Sequence, residues 1–196
     1  KKILLVFIGL LGLFVTAFSQ NENKKRPSLG IHYVLNDFNT ATQLRSAGLS
    51  TVLQTKDWHK TNKMNAGIAI SYLQGLSNNL DFVGTLTGSF LNYPIKDKPA
   101  ATNSEFLLEA VATANLKLFP DNYIFSPFLT AGVGASRYKG YYGAFLPLGG
   151  GFQVKLVDDI FILINSQYRV PVTENASYHL YHSFGIASNL TKKKEV

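Results

Sequence analysis

Five residues in this sequence have the chemistry for charge-assisted hydrogen bonding and a spacing that groups them: Asp81, Glu109, Lys117, Arg169 and His179. Each falls on the polar side of a stretch whose other side is apolar. Charges enclosed together must find one another or water, because an unpaired buried ion is costly. Antiparallel pairing around the 93–104 connection sets Asp81 beside Lys117, and brings Glu109 within reach of Ser89, or of Arg169 and His179 across an enclosed lumen. The expected outcome is a polar plug, with a narrow ion path through the same groups as the alternative. A different pair, Ser166 and His182, falls on the apolar side. Serine next to histidine suggests acyl transfer or lipid hydrolysis, but the sequence places no Asp or Glu on that face to orient the imidazole, so a simple hydrogen bond is expected. His32 joins the polar lumen and His59 falls in a loop. No spacing gives a metal site, a phosphate-cradling glycine loop or a nucleophile elbow. No catalytic residue, metal or cofactor is therefore expected. The chain has no Cys, which excludes disulfides, thiol chemistry and lipid attachment through a terminal Cys.

The elements that position these groups are strands. From 105 to 118 the even positions, Phe106, Leu108, Ala110, Ala112, Ala114, Leu116 and Leu118, are apolar, and the odd ones include Glu105, Glu109, Thr113, Asn115 and Lys117. A period of two makes one greasy and one polar face; taken alone, the Ala- and Leu-rich wording also suits a helix. Similar alternation predicts strands over 28–37, 63–74, 80–92, 105–119, 125–138, 143–156, 160–170 and 177–190. Ten strand residues rise roughly 33 Å, and at a tilt near 40° cover about 25 Å, the apolar height of a membrane barrel. The fold expected is all-β, an eight-stranded antiparallel transmembrane barrel of the outer-membrane type. A soluble ligand-binding barrel would carry its apolar side chains inside, and is the structural alternative.

Connection lengths support closure in a membrane. The gaps are about 25, 5, 12, 5, 4, 3 and 6 residues, so short turns gather on one rim and longer loops on the other, with both termini on the short-turn, periplasmic side. Trp58, Tyr93, Tyr138, Tyr141, Tyr142, Tyr168, Tyr178 and Tyr181 are expected to form an aromatic girdle at the long-loop rim, with Phe119, Tyr123, Phe125 and Phe161 at the other. The longest connection, 38–62, has a weak helical spacing in Leu44, Ala47, Leu49, Val52 and Leu53, and is either a contact surface for an extracellular partner or a loop packed on itself.

The ends read as an address. Lys1 and Lys2 precede an uncharged run from Ile3 to Phe18, and Ala17 and Ser19 suit a cut before Gln20, so 1–19 is expected to be a cleaved signal peptide rather than an anchor. Residues 20–27 then form a short lead, 28–190 the barrel and 191–196 a basic tail. The net charge of +7 gathers in part at Lys24, Lys25 and Arg26 and at Lys192, Lys193 and Lys194. Basic residues are not interleaved with aromatics on one surface, which argues against nucleic acid.

The run Gly30, Ile31, His32, Tyr33, Val34, Leu35, Asn36, Asp37 and Phe38, then Gly67 to Leu76 and the closing His182, Ser183, Phe184, Gly185 and Ile186, resembles the barrel domain of Bacteroidetes-type outer-membrane proteins related to outer-membrane protein A. The resemblance implies outer-membrane lipid and lipopolysaccharide as surroundings, insertion by the barrel-assembly machinery, and a structural or surface role without enzymatic activity. A small channel and a lipid-modifying enzyme are the alternatives. Many such proteins continue into a peptidoglycan-binding domain, whereas this sequence stops at Val196, an ending that implies no wall-anchoring role if it is genuine. The last strand departs from the usual assembly signal in ending on Leu190 with Ser188 before it.

Overall fold

The computed structural model describes residues 24–55, 60–96, 98, 103–157 and 159–191. Eight strands run in sequence order: β1 Ser28–Asp37, β2 Asn65–Gly75, β3 Leu80–Leu91, β4 Glu105–Lys117, β5 Phe125–Tyr138, β6 Tyr141–Val157, β7 Ile160–Pro171 and β8 His179–Asn189. Each pairs antiparallel with its neighbour, and β8 pairs back on β1, so no edge is left open. Alternation sets the register, because a slip of one residue would turn every apolar side chain inward.

The register also fixes the width. Ser28 leads through Leu73, Val83 and Thr113 to Gly132, and further round Pro147 faces Arg169, which faces His179, next to the Leu180 that pairs with Asp37. One circuit thus climbs about ten residues, which for eight strands means a tilt near 40° and a radius on the order of 8 Å. Such a lumen is just wide enough for side chains to fill.

The faces divide as alternation requires. Ile31, Ile68, Phe90 and Leu129 are 68%, 65%, 70% and 69% exposed on the outer wall, whereas Asp81, Glu109 and Arg169 are 1%, 0% and 1% exposed inside. Buried apolar residues form small clusters among the lumen polar groups, such as Leu73, Val83, Leu163 and Ala187. Among the described residues no helix is long and apolar enough to cross a membrane.

The connections differ between the two ends. β2–β3, β4–β5 and β6–β7 turn tightly at one, and β6 begins at Tyr141, so the β5–β6 connection at the other end is also tight. It contains Lys139 and Gly140, both at positive φ (49° and 83°), the left-handed pair that a two-residue hairpin demands. The first connection folds as helix α1, Phe38–Thr55, bent at Gly48 and leaning on β8. Asp37 Oδ1 accepts the Thr40 N–H at 2.8 Å, capping its start.

Candidate functional site

The lumen holds two groups of charges, one at each end. At the short-turn end β3 brings Asp81, β4 brings Lys117, and the turn after β4 brings Asp121. Lys117 Nζ lies 2.9 Å from Asp81 Oδ1 and 2.8 Å from Asp121 Oδ1. Lys25, ahead of β1, enters the same space: its Nζ donates to Gln153 Oε1 at 2.6 Å and to Asp121 Oδ1 at 3.1 Å, and lies 3.6 Å from Asp81 Oδ2. Gln153 Nε2 donates to Asp121 Oδ1 at 2.7 Å, and the Lys25 ammonium sits 4.2 Å from the centre of the Phe161 ring. Two ammoniums and two carboxylates balance. Burial holds the Lys25 amine below its usual range against the pull of Asp81 and Asp121. For Asp121 burial works upward, but Lys25 and Lys117 outweigh it and leave the carboxyl below its usual range.

Lys25 lies in the lead ahead of β1, and its backbone is stitched to the end of β2, where Gly75 N donates to Lys25 O at 3.0 Å. A Cβ at Gly75 would come 2.5 Å from Lys25 N, so only glycine admits this approach. Arg26 turns outward to pair with Asp159. Asp121 and Gln153 were also absent from the expected network. Gln153 has the inward parity of β6 and was readable, but Lys25 and Asp121 lie outside the alternating segments.

At the long-loop end the group is smaller and more deeply enclosed. Arg169 on β7 donates from Nη1 to Glu109 Oε2 on β4, and His179 Nε2 on β8 lies 3.5 Å from Glu109 Oε1. His179 Nδ1 meets Ser177 O at 2.9 Å. Aromatic rings close over these ions. The Arg169 guanidinium lies 3.8 Å from the Tyr181 ring centre and 4.9 Å from that of Phe145. Phe38, the first residue of α1, packs 4.9 Å from the His179 ring and 5.6 Å from Tyr93. Tyr93 OH accepts the Ser177 N–H at 2.8 Å, and burial, helped by Glu109, pushes that phenol up to about 12. Tyr138 OH donates to Leu91 O at 3.1 Å.

The expected girdle is corrected here. Tyr93, Tyr138 and Tyr181 are each 3% exposed and cap the lumen rather than face lipid. Tyr138 and Tyr181 lie near the rim, but parity decides which side of the wall a strand residue takes, and theirs is inward. Phe161, at the other rim, is inward for the same reason. Tyr141 and Tyr142 are exposed, and Tyr168 and Tyr178 pack against each other with ring centres 5.8 Å apart. Trp58 and His59 lie outside the described residues, as do 1–23 and 192–196.

Between the two groups the lumen is nearly filled. His32 and Ser71 are joined at 2.6 Å. Together with Asn115, Asn165, Gln167 and Ser183 they line a cavity of about 30 Å³, room for one or two waters. On the outer wall Ser166 Oγ and His182 Nδ1 meet at 2.9 Å, about half-way up β7. Asp37 continues the outward parity of β1, a carboxylate on that face that the sequence reading missed. It is buried beneath α1, where its Oδ1 is engaged by Thr40 N.

No protein-family model matches the chain, and no curated protein matches it. Solved structures do resemble it. Neisserial surface protein A matches with a TM-score of 0.50 at 14% identity, over 84% of this chain and 96% of that one. The N-terminal β-barrel domain of Pseudomonas aeruginosa OprF matches with a TM-score of 0.51 at 9% identity, over 84% of this chain and 98% of that one. The Yersinia pestis attachment invasion locus protein Ail gives 0.49 at 14% identity, over 84% and 98%. At such identities the likeness is one of fold. The chain is a closed eight-stranded antiparallel β-barrel of the outer-membrane type.

Proposed function

We propose that this protein is an outer-membrane barrel with a structural or surface-interaction role, not an enzyme, and that its lumen is closed to solutes. The observation that supports this reading best is the inversion of the two faces. Ion pairs fill the inside while Ile31, Ile68, Phe90 and Leu129 stand exposed outside, an arrangement that is stable only where the surroundings are apolar. In this reading residues 1–19 direct export and are removed, the short turns and both termini are periplasmic, the barrel-assembly machinery inserts the chain, and α1 with its neighbouring loops meets the exterior. The Bacteroidetes-type wording around Gly30 to Phe38 belongs to the same proposal.

The alternatives fit the geometry less well. A pore needs a continuous path, and a 30 Å³ cavity between two charge-balanced stoppers is not one. An acyl-transfer site needs the ester of a lipid at the serine, but Ser166 stands near mid-height of the apolar band, below the level of ester linkages, and Asp37, whose charge reaches the His182 imidazole, makes no hydrogen bond to it and caps α1 instead. The test is electrophoresis of the exported protein in detergent, comparing unheated with boiled samples. A heat-dependent mobility shift is expected. A protein that stays soluble without detergent and shows no shift overturns the reading in favour of a soluble barrel.

A further inference from the structure

Two arginines at the long-loop rim have no role in the lumen. Arg45 on α1 lies 3.9 Å above the centre of the Tyr178 ring, which packs on Tyr168. Arg137, the next-to-last residue of β5, lies 5.8 Å from the centre of the Tyr142 ring, and Tyr142 is its cross-strand partner. Both arginines are exposed. Arg137, Tyr142 and Tyr168 have the outward parity of their strands, so they continue upward the same wall that carries Leu129, Val133, Leu148 and Ile164. They therefore stand beside the leaflet, not over the barrel mouth.

Neither guanidinium meets a carboxylate among the described residues. Of the described acids at this rim, Glu105 pairs with Lys139 at 3.2 Å, Asp37 caps α1, and exposed Glu174 in the β7–β8 connection pairs with neither arginine. A guanidinium that makes no ion pair has its N–H groups available, and their planar fork matches the two oxygens of a phosphate in a way an ammonium does not. Exposed Lys63 and Lys98 add positive charge to the same rim.

From this geometry we infer that Arg45 and Arg137, each held over a tyrosine ring at the long-loop rim, bind phosphate groups of an anionic lipid in the leaflet facing the long loops. The inference rests on the outer-membrane reading and adds the ligand class and the two positions that hold it. The tyrosines fix each guanidinium at headgroup height, and the apolar wall below takes the acyl chains. Burial of both phosphate and arginine edge at the interface makes each contact stronger than it would be in water.

The test uses the exported, delipidated protein in zwitterionic detergent. It is titrated with a diphosphorylated glucosamine lipid, with the same lipid after dephosphorylation, and with a soluble sulfated polysaccharide; retention is read by native mass spectrometry. The wild type is expected to hold the phosphorylated lipid about tenfold more tightly than the dephosphorylated one. Arg45→Gln with Arg137→Gln removes most of that preference while the heat-dependent mobility shift stays, and each single change removes part of it. Equal retention of the two lipids by the wild type overturns the inference, and that arm needs no variant. So does an unchanged preference in the double variant. If the soluble polysaccharide binds as tightly as the phosphorylated lipid, the rim serves an external glycan instead and the lipid assignment falls. Loss of the mobility shift in the wild type would defeat the outer-membrane reading itself, a failure separable from the others.

Discussion

The two stoppers solve the same problem with different materials. The long-loop group draws all its ions from strands: Glu109, Arg169 and His179 have side chains no more than 1% exposed and lie under a roof of Phe38, Tyr93, Tyr138 and Tyr181. The short-turn group draws two of its four charges from outside the strands, Lys25 from the lead and Asp121 from a turn, and the Asp121 side chain keeps 12% exposure. A sealed ion pair has no substitute when one member is lost, whereas a group at the rim can recruit water. The upper group should therefore be the brittle one and the lower group the forgiving one.

Breaking the upper pair has the largest expected effect. Arg169→Met leaves Glu109 buried without its guanidinium and should cost about 3–5 kcal/mol in a denaturant unfolding measurement, while adding Glu109→Gln should recover much of the loss. Lys25→Met leaves Lys117 facing both Asp81 and Asp121, of which only Asp121 keeps some exposure, and should cost about 2 kcal/mol. Equal losses at the two ends would erase the distinction.

Acid titration sharpens the same contrast. The folded carboxyl of Asp121 lies below its unfolded value of about 3.9, so it contributes stability that is fully present above that value and is lost as pH falls through the folded one. Without Lys25 the folded carboxyl rises, and the acid loss of stability should move to higher pH in Lys25→Met. An unmoved acid limb, followed by the mobility shift across pH, would separate Lys25 from Asp121. The smallest effect is expected at the roof. Tyr138→Phe removes only the hydrogen bond to Leu91 O and should cost about 1 kcal/mol.

What could be read from the sequence follows from the same division. Alternation located all eight strands because a wall that is apolar on one side and lined with ions on the other leaves little choice at each position, and β1 and β5 fall at their expected ends. Glu109, Arg169 and His179 were visible because polar residues on the inward parity of a narrow barrel must meet. Lys25 was not visible, since a lysine in a basic run outside the strands has no periodicity to report its burial. Tyr138 and Tyr181 show the reverse case, in which nearness to a rim suggested lipid although parity already pointed inward. The helix α1 was legible in outline, but its seat against β8 depends on Asp37 and Phe38 more than on the weak apolar spacing within it.

Closure of the lumen at both ends is tested most directly by single-protein conductance of the barrel in a planar lipid bilayer. Closed stoppers predict insertion without current steps in the wild type. Discrete, reproducible steps that change with Glu109→Gln or Lys25→Met would contradict it, and would make the same charges the lining of an ion path.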